Sequence, residues 1–167
     1  MKIVEGDLIE MGKNGDFDVI VHGCNCFHCM GAGIADTIAK EFPQAMMIDQ
    51  STLYGDENKL GTLSWTTLDR KPPLVIVNAY TQYEYTRNKV DVDYDALREC
   101  FKAIKKEFGG NGNRIGYPLI GAGLAGGDWN VISKIIDEEL DGEDHTLVKF
   151  NGTYTNVKYD GLNREDI

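Results

Sequence analysis

Two glycine-rich segments carry the chemistry most easily read from this chain: Met30-Gly31-Ala32-Gly33-Ile34-Ala35 and Ile120-Gly121-Ala122-Gly123-Leu124-Ala125-Gly126-Gly127. Each follows an apolar run of strand character and precedes a run of helical spacing. In that context a glycine loop turns backbone N–H groups toward an anion at the positive end of a helix. Glycine also serves turns and close packing, so one such loop alone says little. Two in one short chain point to two walls around one phosphate-bearing ligand.

A second cluster, His22-Gly23-Cys24-Asn25-Cys26-Phe27-His28-Cys29, raises the question of a metal. It lacks the paired C-x-x-C modules of structural zinc sites, and alternate residues of a strand point to opposite faces. The expectation is therefore no metal and no resident cofactor, with the thiols as small buried groups at a strand end. His28 is expected at the rim of a cleft. His145 follows the acidic turn Asp141-Gly142-Glu143-Asp144 and is expected to be solvated.

Periodicity supplies the elements that must position these groups. Strands are expected at residues 2–5, 18–24, 61–68, 74–79, 114–120 and 146–150. Helices are expected at 34–42, 45–54 and 93–108, and from a cap at Asp128 to about Leu140. Asp93 is a natural N-cap, and Leu97, Phe101, Ile104 and Phe108 form an apolar stripe for the core. Alternating strands and helices imply an α/β sandwich, whose ligands sit beyond the carboxyl ends of the strands. Both glycine loops and Asn25 fall at such ends.

Composition limits the function classes. The chain has 167 residues, 42% of them hydrophobic and 26% charged, which suits one soluble domain. Its net charge of −10 opposes binding to duplex nucleic acid, which needs many cationic contacts. No apolar run approaches the length of a membrane span, and Met1-Lys2-Ile3-Val4-Glu5-Gly6-Asp7 lacks the core of a signal peptide. A cytoplasmic protein without membrane partners is expected. Asn151-Gly152 reads as a turn, and 153–159 alternates like an added strand. The domain is thus placed at 1–150, with 151–167 as a C-terminal extension packed on it.

In order along the chain, Val4-Glu5-Gly6-Asp7-Leu8, Val19-Ile20-Val21-His22-Gly23-Cys24-Asn25, Gly31-Ala32-Gly33-Ile34-Ala35, Lys59-Leu60-Gly61-Thr62, Val77-Asn78-Ala79-Tyr80-Thr81-Gln82 and Tyr117-Pro118-Leu119-Ile120-Gly121-Ala122-Gly123-Leu124 resemble a macro domain. The branch it looks most like holds yeast ADP-ribose-1″-phosphate phosphatase, the terminal ADP-ribose protein glycohydrolase, and bacterial and phage members. The resemblance implies a three-layer α/β/α sandwich with a mixed central sheet and a cleft for ADP-ribose. It implies that Asp7 accepts from the adenine amino group, with a backbone contact from Leu8. Gly31, Ala32, Gly33, Ile34 and Ala35 would wrap the distal ribose and part of the diphosphate. Ile120, Gly121, Ala122, Gly123, Leu124 and Ala125 would cover the diphosphate from the other side. Asn25 would hold the distal ribose hydroxyls. Phe150 is the candidate to stack on adenine, and reads equally well as a core residue of the last strand.

The departures bear on chemistry. Ala35 stands where many macro-domain hydrolases carry an aspartate, with Asp36 displaced by one position. Gln82 and Ala125 stand where the glycohydrolase has its lysine nucleophile and its aspartate. His22 matches a histidine of this branch. A metal-independent ADP-ribose-1″-phosphate phosphatase is therefore expected, with His22 as acid–base group and Asn25 holding the ribose. The alternatives are a non-catalytic ADP-ribose-binding module, which a free-standing domain favours less, and a hydrolase that removes ADP-ribose from modified macromolecules.

Overall fold

The computed structural model describes residues 1–86 and 88–151. The expected strand at 153–159, and the extension beyond Asn151, lie outside the described residues.

Strands form where apolar and β-branched side chains run unbroken or alternate. They are β1 (Lys2–Gly6), β2 (Val19–Cys24), β3 (Leu63–Leu68), β4 (Leu74–Tyr80), β5 (Arg114–Tyr117) and β6 (Asp144–Phe150). They build one sheet in the order β1-β6-β5-β2-β4-β3. All neighbours pair in parallel except the edge strand β3, which runs antiparallel to β4. The carboxyl ends of β1, β6, β5, β2 and β4 therefore share one edge.

Helices cover both faces. Strand alternation sends Ile20 and Ile76 toward α1 (Leu8–Lys13), α2 (Gly33–Glu41) and α3 (Pro43–Gln50), where they pack with Ile9, Ile34, Ile38 and Phe42. Val19, Val21, Val77 and Ala79 face the other way, against Leu97, Phe101 and Ile104 of α4 (Tyr94–Phe108) and Ile132 and Ile136 of α5 (Trp129–Glu139). This is a three-layer α/β/α sandwich around a mixed sheet. No helix among the described residues is long and apolar enough to cross a membrane.

Elements differ from expectation where local chemistry stops or starts them. β5 ends at Tyr117, not residue 120, because Pro118 offers no N–H to a ladder. α3 starts earlier than expected, with Pro43 in its first turn, and stops at Gln50. α1 escaped the periodicity reading because it has only six residues. β6 begins at Asp144, which brings His145 into the sheet. His145 is 6% exposed and bonded to the Tyr117 hydroxyl at 2.6 Å, so it is not the solvated residue expected from its acidic neighbours.

Asp18 ties the start of β2 to β5. It accepts from Arg114 Nε, Nη2 and backbone N at 3.0, 3.1 and 2.7 Å. These hydrogen bonds hold its carboxyl below the ordinary range. Its contribution to stability is therefore complete above the ordinary carboxylate value and lost as pH falls toward the depressed one. Phe101 sits at the centre of the α4 layer with no exposure. Phe101→Ala should cost about 3–5 kcal/mol in a urea titration, the cost of an unfilled aromatic cavity.

Candidate functional site

The first glycine loop leaves β2 at Cys24 and enters α2. Asn25 organises it: Oδ1 accepts from Phe27 N at 2.9 Å, and Nδ2 donates to Cys29 O at 2.9 Å. Each amide group keeps one further bonding position for a ligand. Cys26 is pinned on both sides, donating its N–H to Tyr83 O at 3.0 Å and accepting from Gly55 N at 2.8 Å. Buried Lys59 adds a bond from Nζ to Cys26 O at 3.1 Å. The loop then delivers Ala32 as the N-cap of α2, and Ala32 has no side chain with which to cap. Helices α1, α4 and α5 start instead with Asp7, Asp93 and Asp128, each of which accepts backbone N–H bonds. The first turn of α2 thus lacks the carboxylate cap that those three helices carry.

The second loop follows β5. Gly121 has φ +77°, and a Cβ on Gly127 would lie 2.5 Å from Gly121 O, so the loop folds on itself only with glycine at both places. Its closing bonds run from Gly126 N to Gly123 O at 2.9 Å and from Gly127 N to Gly121 O at 2.8 Å. Among the described residues no backbone acceptor takes the N–H of Gly123, Leu124 or Ala125.

Between the loops lies a cleft. Asn25, Ala32, Ile34, Ala35, Ile120, Gly121, Gly123, Leu124 and Ala125 line it, together with Gly23, Cys29, Gln82, Tyr85 and Asp91. Gly23 forms part of this wall without a side chain, since a Cβ there would lie 2.9 Å from Thr81 Oγ1. Asp91 was not singled out in the sequence. It lies in an irregular segment before α4, and only the fold fastens it to the second loop, through Asp91 N to Ala125 O at 2.8 Å. Its Oδ1 accepts from Thr86 Oγ1 at 2.8 Å. A carboxylate thus stands at the cleft although position 125 itself is alanine. Asp36 points elsewhere and pairs with Lys40 at 2.9 Å.

His22 does not reach the cleft. Its parity on β2 matches Ile20, so the ring enters the layer of α2 and α3. It has no exposure; Nε2 donates to Asn78 Oδ1 at 2.6 Å, and Cys24 Sγ lies 3.7 Å away. Asn78 Nδ2 in turn donates to Ala45 O and Ser64 Oγ at 3.0 and 3.1 Å. Burial pushes the imidazole below its ordinary value. An acid–base group must be within hydrogen-bond reach of the reacting atoms. His22, expected as the acid–base group, stands buried against Asn78 and outside the cleft lining.

The remaining expected residues divide by position. Asp7 caps α1, with Oδ1 accepting from Ile9 and Glu10 N at 3.0 and 3.1 Å, and Leu8 is buried beneath it. Phe150 pairs in register with Gly6, so Phe150, Asp7 and Leu8 meet at the carboxyl ends of β1 and β6. They lie outside the cleft lining, two to three strand spacings or about 10–14 Å along the same edge from β2. Gly31, Gly33 and Ala122 belong to the loops but not to the cleft wall. Among the cysteines, Cys24, Cys26 and Cys100 are buried and Cys29 is half-buried. Burial raises the thiols of Cys24 and Cys26. No group of three or more His, Cys, Asp and Glu side chains among the described residues is arranged to hold a metal ion.

Residues 21–136 match the Macro domain family model. The chain is 37% identical over 145 residues to an uncharacterized 17.5 kDa protein from the tk-vs intergenic region of Enterobacteria phage T4, covering 82% of this chain and 88% of that one. A solved protein of unknown function from Bacteroides thetaiotaomicron superposes with a TM-score of 0.71 at 26% identity, over 88% of this chain and 96% of that one. Thermosipho africanus DarTG, solved in complex with ADP-ribose, superposes with a TM-score of 0.70 at 15% identity, over 91% of this chain and 42% of that longer one.

The placement of His22 has a measurable consequence. His22→Ala should destabilise the fold by about 2–4 kcal/mol in chemical denaturation, through a cavity and an orphaned Asn78 Oδ1. His22 and His145 are both held below the ordinary imidazole value of 6.5, so the unfolded chain takes up protons first as pH falls. Their contribution is complete above that value and lost below it, and the denaturation midpoint should drop on acidification.

Proposed function

The chain belongs to the macro domain family, and we propose that its cleft binds ADP-ribose and hydrolyses the phosphoester of ADP-ribose-1″-phosphate without a metal ion. One observation carries the reading: two glycine loops, one of them with the N–H groups of residues 123–125 taken by no backbone acceptor among the described residues, converge with the Asp91 carboxylate on a single cleft. The ADP-ribose bound in the Thermosipho protein of the same fold supports the choice of ligand.

In this reading the ligand lies along the carboxyl edge of the sheet. Adenine sits near Asp7, Leu8 and Phe150, where the second oxygen of Asp7 accepts from the exocyclic amine. The diphosphate lies between the first turn of α2 and the loop at 121–125, neutralised by amide dipoles rather than by cations. The distal ribose rests against Asn25.

The chemical step uses water. The Asp91 carboxylate takes a proton as water oxygen attacks phosphorus. The bond between phosphorus and the 1″ oxygen breaks, and that oxygen leaves with a proton drawn from solvent. Loop N–H groups stabilise the charge that builds on the phosphoryl oxygens. The products are inorganic phosphate and ADP-ribose. Asn25 holds the sugar in line, and His22 acts only by fixing the end of β2.

Titration calorimetry should show ADP-ribose binding more tightly than AMP; equal affinities would reject the two-ribose cleft. Asp91→Asn should lower phosphate release from ADP-ribose-1″-phosphate by about 10²–10⁴-fold while ADP-ribose affinity stays within a few-fold. Gly123→Glu should abolish both, since a carboxylate would repel the diphosphate. Wild-type protein that binds ADP-ribose and releases no phosphate at any pH from acid to neutral would overturn the phosphatase in favour of a binding module. Release of ADP-ribose from modified protein or nucleic acid in place of phosphate would instead favour the macromolecular hydrolase.

A further inference from the structure

His28 is the one non-glycine residue among the described residues with a left-handed backbone, at φ +56°. For a residue with a Cβ that conformation is costly and persists only where the surroundings hold it. The holding contacts are visible. His28 Nε2 donates to Thr52 O at 2.8 Å and approaches Thr52 Oγ1 at 3.2 Å. The ring meets Tyr54 edge-on at 5.4 Å. Thr52 is itself fixed to the end of α3, with N and Oγ1 donating to Asp49 O at 3.0 and 2.5 Å. The Asp49 carboxylate, 1% exposed, accepts from the Tyr80 hydroxyl at 2.7 Å. A line of hydrogen bonds therefore runs from the first glycine loop through α3 to β4.

The loop needs such an anchor. Its cleft-facing residues, Asn25 and Cys29, are joined to each other by the bond from Asn25 Nδ2 to Cys29 O. That bond restrains Asn25 only as well as Cys29 O is itself restrained, and His28 is the residue just before Cys29. We propose that His28 is a positioning residue for the sugar end of the ligand: its imidazole, clamped to Thr52, sets the left-handed turn that aims Asn25 and Cys29 into the cleft. The proposal rests on the ADP-ribose reading. It predicts a defect confined to the sugar beyond the diphosphate, because the clamp acts on the loop that carries Asn25 and Cys29.

The test compares ADP-ribose with ADP by calorimetry on wild type, His28→Ala, His28→Gly and His28→Gln. Glycine relieves the backbone strain and alanine does not, yet both lose the clamp. Both should weaken ADP-ribose by about tenfold, the scale of a small misplacement, and leave ADP within about twofold. Glutamine can return an N–H donor toward Thr52 O and should recover most of the loss. Circular dichroism shows that each variant is folded, and hydrogen exchange should rise at residues 29–31 in the alanine and glycine variants. Variants that bind ADP-ribose as wild type does, or that lose both ligands equally, would overturn the positioning role alone. A wild-type protein that binds neither nucleotide would overturn the functional reading, and the role of His28 with it.

Discussion

The cleft depends on where the fold places carboxylate caps and where it withholds one. A helix begins with N–H groups that lack partners within the helix, and this chain meets that demand with aspartate at α1, α4 and α5. At α2 the corresponding residue is Ala32, whose side chain has no group to accept with. In the proposed reading, an aspartate there would place a fixed negative charge beside the diphosphate. The second loop obeys the same constraint, since its own closure uses the N–H groups of Gly126 and Gly127 and spares those of Gly123 to Ala125. Glycines at 121 and 127 make this possible by allowing the loop to double back without side-chain collision.

Parallel pairing gives these amides a common target. β2 pairs with β4 on one side and β5 on the other, all in the same direction. The loop after β2 and the loop after β5 must then emerge side by side. The buried polar groups beneath them keep that edge rigid. His22, Asn78, Ser64, Tyr80 and Asp49 bond to one another or to the α3 backbone in a region with almost no solvent. A network of this kind gives stability only when its members are satisfied, and these are. It contributes a fixed platform rather than a reacting group.

Such a site also reconciles anion recognition with a chain of net charge −10. Long-range attraction does not bring a nucleotide diphosphate to this surface, and at physiological salt the overall charge is screened over about 8 Å. In the proposed reading, amide dipoles fixed in direction before the ligand arrives act at contact distance. Recognition by geometry instead of by lysine and arginine suits a small ligand with one diphosphate, and leaves extended polyanions unfavoured.

The order and type of most elements were legible in the sequence, because the signals are local. Unbroken runs such as residues 19–21 and 74–77 have nowhere to go but a sheet interior, Asp93 and Asp128 cap the helices they precede, and glycines between strand and helix mark the loops. Asn25 and parts of both glycine loops line one cleft. What the sequence alone left undecided was which way a side chain faces and what it meets from far along the chain. His22 lies three residues from Asn25, yet strand parity turns it inward toward α3 while Asn25, past the end of β2, lines the cleft. His145 has charged neighbours in sequence but a tyrosine for a neighbour in space. Asp91 carries no local signature, and becomes a cleft residue only when its backbone bonds to Ala125. Strand register and loop-to-loop contact are properties of the folded assembly, and they decide which of the available polar groups reach the ligand.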